Sequence, residues 1–141
     1  NVIPSKVHLK GTFRTMNEKW REEALILIKE HADAIALAAG GTAEVEISKG
    51  YPYLENNPSL TNQLKERAID FLGNEKVEDL ALRMTSEDFA FYSQEVPVCF
   101  FRLGVRNEQE GIVYGVHHSK FNIDAEALKI GMQVMCLSVI C

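Results

Sequence analysis

Two stretches of strict alternation enclose a helical stripe in residues 6–48, and that order limits the fold more than any other feature. In 6–14, Val7, Leu9 and Phe13 fall on one side, while Lys6, His8, Lys10 and Arg14 fall on the other. That is the period-two pattern of a strand with one wet face. Asn17 suits a helix N-cap. Trp20, Ala24, Leu27, Ile28, His31, Ile35 and Ala38 then form an apolar stripe at helical spacing over 18–39. Gly40-Gly41 ends it. Residues 42–48 alternate again, with Ala43, Val45 and Ile47 inward and Glu44, Glu46 and Ser48 outward. Strand, helix and strand with half-polar sheet faces predict a small α+β unit covered by helices on one side.

The pattern breaks at Lys49-Gly50-Tyr51-Pro52-Tyr53, where Gly and Pro close together predict a connection. Asn57-Pro58 opens a second helix with proline at its first position. Leu60, Leu64, Ala68, Phe71 and Leu72 form its stripe, and Gly73 ends it. Residues 77–84 fit a short strand. Ser86 is the expected cap of a short helix to about Ser93, with Glu87 and Asp88 in its first turn, where the dipole favours carboxylates. Val98–Leu103 is apolar except for Arg102 and predicts a strand buried on both faces. Asn107–Gly111 is a turn, and Ile112–Tyr114 is an extended piece. Asp124 caps a last helix running to the end. The composition changes character near Gly50, where a domain boundary is expected.

The bulk numbers narrow the class. The chain has 141 residues, 46% hydrophobic and 25% charged, with a net charge of -5. That suits one ordinary domain or parts of two. No basic stripe exists, which disfavours nucleic acid. The longest apolar run, at the C-terminus, contains Lys129 and Gln133, so no membrane span is expected. Cys99, Cys136 and Cys141 are odd in number and lack metal spacing. They predict reduced, buried thiols in a cytoplasmic protein. The first residue is Asn1, with no initiator methionine, and the chain is expected to be a piece of something longer.

Chemistry concentrates in Tyr114-Gly115-Val116-His117-His118-Ser119-Lys120-Phe121, which places two imidazoles on a loop. Imidazole is the commonest metal-binding side chain, but a catalytic metal needs about three protein ligands, so one or two histidines are insufficient. From the dipeptide alone, the favoured reading is that one ring caps the following helix region or satisfies a carbonyl and the other is solvated. The acidic pair Glu87-Asp88 reads first as dipole compensation. Arg14, at the end of a strand's polar face, suits either solvent or a carboxylate gripped bidentately. His8 reads as an exposed strand residue and His31 as a core or interface one. The charges at 18–23 and 65–70 read as solvated helix faces.

Taken in order, Asn1-Val2-Ile3-Pro4, Gly11-Thr12-Phe13-Arg14, Gly50-Tyr51-Pro52, Thr85-Ser86-Glu87-Asp88-Phe89, Phe100-Phe101-Arg102-Leu103-Gly104 and His117-His118-Ser119-Lys120-Phe121 carry a resemblance. The chain resembles the C-terminal third of the aminoacylase/hippurate-hydrolase branch of the di-metal amidohydrolases, metallopeptidase family twenty. The resemblance implies an α/β protein with an α+β part. Residues 1–49 would be the second half of a lid that also forms the homodimer interface. Residues 50–141 would be the C-terminal part of a zinc-peptidase-like α/β catalytic domain.

Roles follow by the same likeness. His117, four residues before Phe121, matches a metal ligand, and His118 becomes its neighbour. Asn1 and Arg14 match a lid pair that grips the substrate's carboxylate, and Ser86 and Glu87 match a substrate-binding segment near the cleft. The resemblance implies two divalent metal ions, zinc or manganese, with a single ligand in this chain. The remaining ligands and the general-base glutamate would lie upstream. The implied reaction is hydrolysis of the amide of an N-acyl amino acid or a dipeptide-like substrate. Thr85-Ser86 in place of the usual Gly, and Lys120 near a usual Pro, bear on substrate preference. Two other readings remain: a non-catalytic dimerisation or binding module, and an inactive homologue.

Overall fold

The computed structural model describes residues 1–139. Its helices are α1 (Glu18–Ala38), α2 (Pro58–Leu72), α3 (Ala90–Ser93) and α4 (Ala125–Val139), with a 3₁₀ turn at Asn74–Lys76. The chain forms two compact units. The first joins Asn1–Leu54 with Leu82–Phe91, and the second joins Glu55–Ala81 with the residues from Tyr92 on.

Short-range chemistry fixes the helix ends. The Asn17 side chain accepts from the Trp20 N–H at 2.9 Å. At the other end of α1 the Gly41 N–H reaches Ala36 O and the Gly40 N–H reaches Leu37 O, at 2.8 and 3.0 Å. These two bonds form a Schellman cap, and Gly40 takes the φ of 76° that it needs. Asn57 caps α2 through the Leu60 N–H, ahead of Pro58. Asp124 caps α4, its Oδ1 accepting from the Glu126 N–H at 3.0 Å.

In the first unit Glu18 and Arg21 at the start of α1 are structural, while Lys19, Glu22 and Glu23 are exposed as predicted. Arg21 pairs with Glu18 at 2.6 Å. Arg21 Nη1 donates to Tyr51 O at 2.6 Å, and Glu18 Oε1 accepts from the Tyr53 N–H at 3.1 Å. One turn of helix thus holds the Gly50–Tyr53 connection. The Tyr51 and Phe91 rings meet edge to face at 5.7 Å. In the second unit Arg67 Nη1 donates to Leu137 O in the last turn of α4, and Lys65 binds Asp79. Lys65 and Arg67 therefore tie elements together too, while Glu66 and Asp70 are exposed as predicted.

The segments predicted as strands, 6–14, 42–48, 77–84 and 98–103, carry no regular secondary structure. Among the described residues the one β-bridge is the antiparallel pair Asn107–Ile112, which closes the expected turn. A strand exists only where a neighbour supplies ladder hydrogen bonds, and alternation specifies a face without supplying that neighbour. The Asn56 side chain supplies a substitute in the second unit. Its Oδ1 accepts from the Phe100 N–H at 2.7 Å and its Nδ2 donates to Phe100 O at 2.9 Å. The Asn57 N–H adds a bond to Val98 O.

Val98 is buried, but Arg102 is exposed. From Phe101 to Asn107 half-buried and exposed residues alternate strictly. Over 98–101 no residue is exposed, so both sides are covered there as predicted, and the one-faced pattern begins at Phe101. Leu103 covers the inner face over Gly131 of α4, where a Cβ would stand 2.9 Å from its methyl group. That close approach accounts for a glycine inside a helix.

The core is small. Only Ala24, Ala68, Ala90, Val98, Ala127 and Val134 are buried among the described residues. Beyond Ala24 the apolar stripe of α1 is largely uncovered: Ile35 is 70% exposed and Leu27 and Ile28 are each 40% exposed. His31 is exposed with it. The thiols depart from expectation for the same reason. Cys99 is half-buried and Cys136 exposed, while Cys141 lies outside the described residues.

Candidate functional site

Residues 114–121 fold into two consecutive turns in the second unit. The His118 N–H donates to Gly115 O at 3.2 Å, and the Phe121 N–H donates to His118 O at 2.9 Å. His117 is the third residue of the first turn and takes φ 69°, the one described non-glycine residue at positive φ. That position of a type II turn demands the left-handed region, which glycine and asparagine fill most easily. For a histidine the conformation is costly, and such strain gathers at functional sites.

The two rings differ in what their nitrogens do. His118 Nδ1 accepts from the Lys120 N–H at 3.0 Å. A neutral imidazole with that bond carries its proton on Nε2, so neither nitrogen offers a lone pair outward. The His118 ring also stacks on Tyr114, centroids 4.2 Å apart and planes within 12°. The Lys120 Nζ lies 5.7 Å from the centre of the Tyr114 ring. His117 is exposed and its ring makes no hydrogen bond among the described residues. It is the imidazole free to coordinate. Beside the turn a shallow pocket of about 320 Å³ is lined by Val105, Arg106, Val113, Tyr114, Gly115, Val116, Phe121 and Asn122.

The other sequence-predicted residues stand in the first unit. Arg14 is exposed and its Nη1 donates to Met84 O at 2.6 Å. This bond brings Arg14 to the segment carrying Ser86 and Glu87 and leaves other guanidinium N–H groups open. Glu87 is half-buried, and its Oε1 accepts from the Phe89 N–H at 3.3 Å. The Ala90 N–H reaches Glu87 O. α3 starts at Ala90, later than a cap at Ser86 predicts, and the Glu87 carboxylate bonds within the turn that precedes it. Asn1 and Ser86 are exposed.

No group of three or more His, Cys, Asp or Glu among the described residues could hold a metal ion. What the chain offers is one unengaged imidazole on an exposed turn, which fits a single ligand position. Among the described residues no helix is long and apolar enough to cross a membrane. Sequence reasoning overlooked Tyr114 and Arg21. Nothing local marks the stacking of Tyr114 on His118, which depends on the turn, or Arg21 as the partner of Tyr51.

The model of peptidase family M20/M25/M40 matches residues 4–140, and the chain belongs to that family. It is 32% identical over 132 residues to thermostable carboxypeptidase 2 of Saccharolobus solfataricus, covering 93% of this chain and 33% of that protein. It is 33% identical over 141 residues to N-acetyldiaminopimelate deacetylase of Leuconostoc mesenteroides, covering 96% and 34%. It is 31% identical over 142 residues to IAA-amino acid hydrolase ILR1-like 6 of Arabidopsis thaliana, covering 95% and 30%. The chain thus spans about a third of the length of these relatives. Each relative is named as a hydrolase. No solved structure matches the chain.

Proposed function

We propose that the chain is the C-terminal third of a metal-dependent amidohydrolase that cleaves the amide of N-acyl amino acids or dipeptide-like substrates. The observation that carries this reading is the His117 turn: a strained, exposed imidazole with both nitrogens unengaged, in a chain of this family. Residues 1–49 are the second half of a lid that pairs two copies, and 50–141 complete an α/β catalytic domain. The strand-predicted segments find their ladder partners in the part of the protein beyond this chain, and the one-faced alternation of Phe101–Asn107 over α4 supports this.

His117 holds one of two divalent ions, zinc or manganese, which supply Lewis-acid activation when bound. Arg14 and Asn1 grip the substrate's carboxylate and so orient the scissile amide. Ser86 and Glu87 shape the neighbouring wall, with Glu87 keeping its segment folded. The general base comes from the remainder of the protein, and the reaction belongs in the cytoplasm. The test is steady-state hydrolysis by the full-length protein of an N-acetyl amino acid and of its C-terminal carboxamide. Arg14→Ala should raise KM for the acid and leave that for the carboxamide unchanged. Absence of any amide hydrolysis by wild type, or equal effects on both substrates, counts against the proposal.

A further inference from the structure

We propose that His118 is a positioning residue for His117. It acts through the hydrogen bond from the Lys120 N–H to its own Nδ1 and does not touch the ion. The inference rests on the reading of His117 as a metal ligand. Every feature of the turn converges on residue 118. Its N–H closes the first turn on Gly115 and its carbonyl opens the second to Phe121. Its Nδ1 holds the Lys120 N–H, and its ring lies flat on Tyr114. Residues 113–121 are all exposed, so no surrounding core imposes the conformation. A left-handed histidine persists only where its surroundings determine it, and here those surroundings are the bonds of its neighbour. The Nδ1 bond also removes the lone pair that direct ligation by His118 would need.

Two substitutions separate the acceptor from the ring. His118→Asn keeps a side-chain oxygen that can bond the N–H two residues on, as in an Asx turn. His118→Phe keeps an aromatic face for Tyr114 but has no acceptor. The full-length protein, stripped of metal, is titrated with zinc against a chromophoric chelator. Supporting-shell losses run to roughly 10–100-fold in metal affinity, so His118→Phe should fall in that range and His118→Asn should stay within about threefold of wild type. Wild-type affinity in His118→Phe, or binding by His118→Asn as weak as by His118→Phe, overturns the inference. His117→Ala serves as the reference. Retained zinc binding there defeats the ligand reading itself, whereas loss there with intact binding in His118→Phe defeats the positioning role alone. Nitrogen-15 shifts of the wild-type rings give a readout free of variants. His118 should show a bare Nδ1 and a protonated Nε2 with and without zinc, and a zinc-bound nitrogen on His118 overturns the inference.

Discussion

His117 occupies a backbone state that its own side chain resists. A β-carbon in the left-handed region costs roughly 1–2 kcal/mol, and glycine escapes that cost. His117→Gly should therefore stabilise the turn by about 1 kcal/mol while removing the proposed metal ligand. Thermal melting of the metal-free full-length protein, together with its zinc affinity, checks both halves. A variant that melts lower than wild type without metal would show that the strain is absent. The sequence marks this place through its paired histidines, but the dipeptide is symmetric in chemistry. The family likeness favours His117 by its distance from Phe121, and the turn, which commits His118 Nδ1 to Lys120, distinguishes the rings on chemical grounds. The local bond from Arg14 to Met84, 70 residues apart, has no sequence signature at all.

At the scale of elements, what was legible is what depends on near neighbours. Asn17, Gly40, Asn57-Pro58, Gly73 and Asp124 all stand at the helix ends they predict, because caps are built within a few residues. The strands were not realised because pairing is non-local, and alternation cannot say which neighbour is present. Where Asn56 offers its amide, Phe100 takes it as a ladder partner.

Asp124 yields a pH prediction. A hydrogen bond from Asn107 Nδ2 at 2.8 Å, and then one from the Glu126 N–H, hold its carboxyl below the ordinary value of 3.8. A carboxylate depressed in the folded state stabilises it above the unfolded value, and that contribution fades as pH falls through the folded one. Below pH 3.8 the cap of α4 and its tie to the 107–112 turn should weaken. The difference in melting temperature between wild type and Asp124→Ala should shrink as pH is lowered from 6 to 3. A difference that grows toward acid would contradict the assignment.

The two units expose more surface than two compact bodies of their combined mass should. A 15.9 kDa polypeptide leaves 11952 Å² to solvent. Two separate compact bodies of half that mass would together expose about 8,900 Å². The surplus is about 3,000 Å² against that scaling, a generous protein–protein interface. Much of it is the open stripe of α1 and outward faces such as Leu9, 91% exposed, and Leu82, 74%. Surfaces like these mark interaction sites or aggregation hazards. The 141-residue polypeptide alone should therefore bind a hydrophobic dye and associate, whereas the full-length protein should not. A monomeric, dye-free, cooperatively melting fragment would refute this reading of the open faces. The family resemblance was legible at this scale because six weak motifs kept their order. What covers the open faces was not, since alternation marks a face without naming its partner.

Metal analysis of the purified full-length protein bears most directly on His117. Wild type should retain two equivalents of zinc or manganese through gel filtration, and His117→Ala should lose at least one of them along with amide hydrolysis. Full metal content with an unchanged hydrolytic rate in His117→Ala would contradict the account.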